Sequence, residues 1–103
     1  MRVIAVKTLR EFWRKYPDSE QSLRAWYDEA CNANWAQPAD IKARYRTASI
    51  LENRRVVFNI KGNDYRLVAS LAYQARVVFV KFVGTHAAYD AIDAETVELE
   101  RAK

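Results

Sequence analysis

The sequence predicts an α+β domain: an N-terminal helical hairpin packed on a small antiparallel β-sheet, with a short helix after the last strand. Three observations predict it. Apolar residues recur at helical spacing through the first third of the chain, and β-rich runs crowd the second half. Glycine and proline number only 2 each, so each marks a boundary. The 103 residues allow one domain, spanning 1–103, with a modest core. Hydrophobic residues make up 50% of the chain, a composition that excludes disorder.

The elements follow in order. "VIAV" (Val3–Val6) reads as a short buried strand. In "TLREFWRKYP", Thr8 and Glu11 have capping-box spacing, and Leu9, Phe12, Trp13 and Tyr16 share one helical face. Pro17 stops this helix, and Asp18 can cap a second one whose inner face is Leu23, Trp26, Tyr27 and Ala30. Pro38 suits the first turn of a third helix with Ile41 and Tyr45 inside. "ASILENRR" reads as a short strand and a turn, and "RRVVFNI" as a strand. Gly62-Asn63 is a hairpin turn, and a second turn falls at Tyr73-Gln74. Gly84 ends the last strand, Thr85 can cap "HAAYDAI", and Asp93 can cap a last turn or tail, "AETVELERAK".

Charge is uneven. Residues 53–89 carry six basic groups (Arg54, Arg55, Lys61, Arg66, Arg76, Lys81) and one acid, Asp64, whereas the whole chain is only +4. Such a concentration fits a polyanion partner, and equally a solvated basic face. The apolar run in "MRVIAV" is too short for a signal peptide or a membrane span. Cys31 has no Cys or His at metal spacing and reads as a packed, reduced thiol. A cytoplasmic protein without metal, cofactor or membrane partner is expected.

With the two turns placed as above, Asn59 falls opposite Arg66, and Arg66 opposite Lys81, in one row across three strands. One sheet face, with Phe58, Ile60, Leu67, Leu71, Val80 and Phe82, should receive the helices. The other, with Arg55, Val57, Asn59, Arg66, Val68 and Lys81, is half polar and should stay open. Like charges facing each other across strands are unfavourable unless an anion lies over them. His86 would occupy the first turn of the last helix, with Tyr89 three residues on and near it.

These residue types suit RNA cleavage without a metal, in which the ribose 2′-OH attacks the adjacent phosphorus. One group accepts the 2′ proton and another donates to the leaving 5′ oxygen, while cations hold the phosphoryl oxygens. Arg66 offers a bidentate fork and Lys81 a second positive charge. His86 and Tyr89 can move protons, and Tyr89 can also stack on a base. Arg66, Lys81, His86 and Tyr89 are the candidate catalytic set, with Arg55, Asn59, Lys61 and Asn63 as candidate RNA contacts. Singly, His86 reads as a helix-terminal polar residue and Tyr89 as packing; their convergence carries the chemistry. Two glycines cannot build a phosphate loop, which excludes the nucleotide-binding classes that need one.

"FNIKGNDYRLVA", followed by "FVGTHAAYD", resembles the HigB-type toxins, a branch of the RelE superfamily of mRNA interferases. The order of elements is also similar, over nearly the whole chain. The resemblance implies a RelE-like fold and the toxin of a type II toxin–antitoxin pair. Such a toxin cleaves mRNA, often on the translating ribosome, and is silenced by a helix-turn-helix antitoxin. Matching positions are Asn59, Gly62, Asn63 and Arg66, then Thr85, His86, Tyr89 and Asp90, with Lys81 where members tend to be basic. Gly62 reads as turn geometry, Asn63 as turn or site residue, and Asp90 as a residue orienting His86 or an arginine. The resemblance does not say which group is acid and which is base. Two alternatives use the same residues differently: a non-catalytic RNA- or ribosome-binding module, and a protein-interaction adaptor.

Overall fold

Leu9, Leu23, Trp26 and Ala30, the inner stripes of the helical hairpin, are buried to 2% exposure or less in the computed structural model, which describes residues 1–99. The chain begins with strand β1 (Arg2–Ile4) and passes directly into helix α1 (Val6–Lys15). A 3₁₀ turn at Pro17–Ser19 leads to α2 (Glu20–Asn32), and Pro38 opens α3 (Pro38–Arg44). Strands β2 (Ser49–Ile50), β3 (Arg55–Ile60), β4 (Tyr65–Ala72) and β5 (Val77–Thr85) follow, then helix α4 (His86–Asp90).

Two expected caps do not form. Ala5 is the N-cap of α1, and Thr8 N donates to Ala5 O at 3.2 Å, so the helix starts too early for the Thr8–Glu11 pair to cap it. Asp18 does not cap α2 because its carboxylate serves the sheet. It accepts from Tyr65 Oη at 2.5 Å and from Lys61 Nζ at 3.0 Å, bonds that a charged donor and a phenol make stronger than a helix-end amide would.

The five strands lie in the order β1-β5-β4-β3-β2. From β2 to β5 the sheet is an antiparallel meander, whereas β1 adds to the edge of β5 in parallel, Arg2 beside Val77 and Ile4 beside Phe79. No hairpin ties β1 to its neighbour. The connection from β1 to β5 runs through the helices and strands β2 to β4, long enough to permit the parallel sense. Phe58, Ile60, Tyr65, Leu67, Ala69, Leu71, Val78 and Val80 join Leu9, Leu23, Trp26 and Trp35 in one cluster between sheet and helices.

The β3–β4 register is the one expected: Asn59 faces Arg66 and Ile60 faces Tyr65. Lys61–Asp64 closes this hairpin, with Asp64 N donating to Lys61 O at 3.2 Å and Gly62 at φ +64. The β4–β5 register differs, so Arg66 faces Gly84 rather than Lys81. A two-residue turn at Tyr73-Gln74 would force Tyr73 alone or both residues to positive φ, which neither favours. The chain instead uses residues 73–76, with Arg76 alone at φ 60 and its guanidinium held by Asn34. A bulge follows: Ala69 faces Val80, Val68 faces Phe82, and Lys81 is the unmatched residue between them. Beyond the bulge the faces exchange. Val83 packs on the helix-side cluster and Phe82 leaves it.

The second face of the sheet is not bare. Val57 is 3% and Val68 0% exposed, although neither belongs to the helix-side cluster. The segment after α4 crosses this face, turning at Asp93, whose carbonyl accepts from Val97 N at 2.9 Å. The last part of the expected tail, 100–103, lies outside the described residues.

Candidate active site

Arg66, two residues into β4, projects on the face away from the helices. Its Nη1 donates to the carbonyl of Asn63 at 3.2 Å, and among the described residues it has no carboxylate partner. Its guanidinium carbon sits 5.7 Å from the centre of the Tyr89 ring, close enough for a cation–π contact. Tyr89 reaches this place because α4 is anchored at both ends of its first turn. Thr85 Oγ1 accepts from Ala88 N at 3.1 Å as an N-cap, and His86 N donates to Asp64 O at 3.2 Å. The expected cap at Thr85 is therefore present, and the bond from His86 N to Asp64 O ties the β3–β4 turn to the helix that carries His86 and Tyr89.

His86 is half-exposed, and Asp90 Oδ2 lies 3.2 Å from its Nδ1. That contact fixes the ring from the Nδ1 side and leaves Nε2 directed elsewhere. Phe82 completes the group: its ring is 6.4 Å from that of Tyr89, tilted by 54°. Sequence reasoning placed Phe82 in the core and so missed it. The available signal was Gly84, since a glycine inside a strand marks a bulge or a close approach.

The other expected residues are distributed differently. Lys81 is not in a row with Arg66. The bulge displaces it, and it lies three residues before Gly84, which is about 10 Å along a strand. Its Nζ donates to Glu98 Oε1 at 2.6 Å. Arg55 is not an open RNA contact, because its side chain is only 8% exposed. It donates to Val97 O at 2.6 Å, to Ala94 O at 3.2 Å and to Glu98 Oε2 at 2.5 Å. The carbonyls after α4, unpaired by any strand, take the buried guanidinium as their donor. Glu98 thus bridges two cations, which together hold its carboxyl below the usual range, the Lys81 hydrogen bond most of all.

Asn59 Nδ2 donates to Thr47 O at 3.2 Å, next to Arg66 across the ladder. Lys61 is drawn toward the helices by Asp18 and toward Asp64 at 3.5 Å. Its ammonium is held above the usual range by the Asp18 hydrogen bond. Asn63 is exposed, and its backbone carbonyl is what Arg66 uses. Arg66, Tyr89 and Phe82 therefore converge, His86 stands on the same short helix as Tyr89 with its ring at Asp90, Asn59 and Asn63 flank Arg66, and Lys81, Arg55 and Lys61 are engaged elsewhere. Among the described residues no group of three or more His, Cys, Asp or Glu could hold a metal ion. No described helix is long and apolar enough to cross a membrane.

A helical hairpin on a five-stranded mixed sheet, with a short helix after the last strand, is the architecture of a RelE-like protein. Residues 19–92 match the family model described as HigB toxin, RelE-like toxic component of a toxin–antitoxin system. The chain belongs to the HigB toxin family. It is similar to the mRNA interferase toxin HigB of Escherichia coli K12, 27% identical over 96 residues that cover 91% of this chain and 92% of the relative. The mRNA interferase HigB of Escherichia coli O6:H1 is 24% identical over 94 residues, covering 89% and 91%.

Proposed function

We infer that this protein is an endoribonuclease toxin that cleaves mRNA on the translating ribosome and is silenced by a helix-turn-helix antitoxin. Support comes from family membership and from relatives named mRNA interferases. The observation that carries the chemistry is the Arg66 fork, paired with no described carboxylate and placed against the helix that presents His86 and Tyr89.

The reaction needs no group beyond these. The 2′ oxygen bonds to phosphorus while the bond from phosphorus to the 5′ oxygen breaks. The products are a 2′,3′-cyclic phosphate and a 5′-hydroxyl end. Arg66 bonds the non-bridging oxygens as their charge grows. His86 and Tyr89 take the 2′ proton and supply the 5′ proton. Lys81 and Asn59 meet the RNA backbone on either side of this centre, Lys81 after leaving Glu98.

Incubating the protein with translating ribosomes, and separately with free RNA, tests this reading. Mapped 5′-hydroxyl ends that vanish with Arg66→Ala are expected. RNA that is bound but cut in neither setting would leave a non-catalytic RNA-binding module instead.

A further inference from the structure

Phe82 lies where an apolar ring gains least. The core on the other side of the sheet accepts Val80 before it and Val83 after it, yet Phe82 stays outside that cluster and is partly exposed. Two local features hold it there. The unmatched Lys81 rotates the strand so that Phe82 opposes Val68 on the face that carries Arg66. Gly84 then makes room for the ring. A Cβ on this buried glycine would come within 2.5 Å of Phe82 Cζ and 3.0 Å of Cε2, so no other residue leaves the ring where it is. Gly84 is also the residue facing Arg66. Bulge and glycine together deliver an aromatic ring to the foot of the arginine, with Tyr89 6.4 Å away and the guanidinium against Tyr89.

We propose that Phe82, lying over Gly84, is the floor of a nucleobase subsite: it stacks on the base next to the phosphate that Arg66 holds, with Tyr89 as the side wall. The proposal rests on RNA being the substrate of this site. A partly exposed ring beside a phosphate-binding fork is the pairing that single-stranded RNA requires, because each nucleotide offers a π-face within one sugar of its phosphate. The subsite is sequence-tolerant and favours purines, whose stacking area is larger.

The test uses two short single-stranded RNAs, identical except for one abasic ribose beside the cleaved phosphate. Phe82→Leu keeps an apolar side chain and removes the π-face; Phe82→Trp keeps it. On intact RNA, Phe82→Leu should raise KM on the order of 10-fold and change kcat little, with Phe82→Trp near the parent. On the abasic RNA, parent and Phe82→Leu should coincide. Gly84→Ala, which displaces the ring without removing it, should resemble Phe82→Leu, and serves if that variant does not fold. Equal losses on both RNAs, or none on either, would overturn the subsite. Fluorescence anisotropy with the same RNAs separates this from failure of the cleavage reading. A parent that binds intact RNA more tightly than abasic RNA, but cuts RNA neither free nor on translating ribosomes, keeps the subsite and loses the enzyme; one that cuts and binds both equally keeps the enzyme and loses the subsite.

Discussion

Arg66 faces Gly84 across the β4–β5 ladder, so its cross-strand partner brings no side chain of its own, and the Phe82 ring lies over that glycine. Two carbonyl oxygens, those of Asn63 and Tyr65, are its hydrogen-bond acceptors. The side chain thus contributes little to holding the fold and is free to meet an anion. Arg66→Ala should lower RNA cleavage by about 100-fold or more, the usual cost of removing a donor to developing oxyanion charge. Arg66→Lys should recover part of it, keeping the charge and losing the fork. The unfolding free energy from denaturant titration should change by less than about 1 kcal/mol in either. A large stability loss in Arg66→Ala would show that the residue is structural.

Arg55 is expected to behave in the opposite way. Its buried guanidinium holds two carbonyls and Glu98, and so fastens the segment after α4 over Val57 and Val68. Arg55→Ala should destabilise the protein by about 2–4 kcal/mol, since it leaves these acceptors without their donor. The salt dependence of RNA binding should be unchanged, because Arg55 neutralises no phosphate. Urea denaturation and binding titrations at several salt concentrations measure the two effects. A reduced salt slope with an unchanged urea midpoint would return Arg55 to the RNA-binding surface.

The contrast between these arginines shows what was legible in the sequence. The helical stripes, the Thr85 cap and the pairing of Asn59 with Arg66 follow from spacing and from a turn whose chemistry is unambiguous at Gly62. The next hairpin has no glycine, asparagine or proline to set its turn, and nothing local distinguishes a two-residue from a four-residue connection. A bulge adds one more residue of slip, enough to exchange Phe82 and Val83 between faces. The engagement of Arg55 and Lys81 was hidden for a different reason. Their partner, Glu98, is 43 and 17 residues away in the chain and is brought in by a segment without periodicity.

His86 and Asp90 offer a prediction about the proton-handling end of the site. The 3.2 Å approach of Asp90 Oδ2 to Nδ1 orients the imidazole, and α4 itself is held by Thr85 and Asp64, not by the ring. His86→Ala should therefore lower kcat by about 100-fold, within the usual range for general acid–base groups, and leave the fold intact. Asp90→Asn should cost less, because it removes orientation and keeps the ring. The pH profile of cleavage is the decisive readout. If His86→Ala merely scaled the parent profile without changing its limbs, His86 would not be moving a proton.

Stability against pH should carry a signature from the opposite face, where Asp18 joins Tyr65 and Lys61. The Tyr65 hydrogen bond, and then that of Lys61, hold the Asp18 carboxyl below its ordinary value, and Lys81 and Arg55 do the same for Glu98. A carboxyl depressed in the folded state favours folding above its unfolded pKa, near 4, and loses that contribution as pH falls through the lower folded value. Tyr65 has the other sign. Its hydrogen bond to Asp18 pushes the phenol up to about 12, so its contribution is complete below about 10 and disappears as pH rises toward 12. The thermal midpoint should be flat from about pH 5 to 9 and fall on both sides. Tyr65→Phe should remove the alkaline fall assigned to this phenol and weaken the acid fall, because Asp18 loses its strongest donor; Asp18→Asn should weaken both. Melting curves across pH 3–11 for the three proteins check this, and an alkaline limb unchanged in Tyr65→Phe would separate the phenol from the stability of the fold.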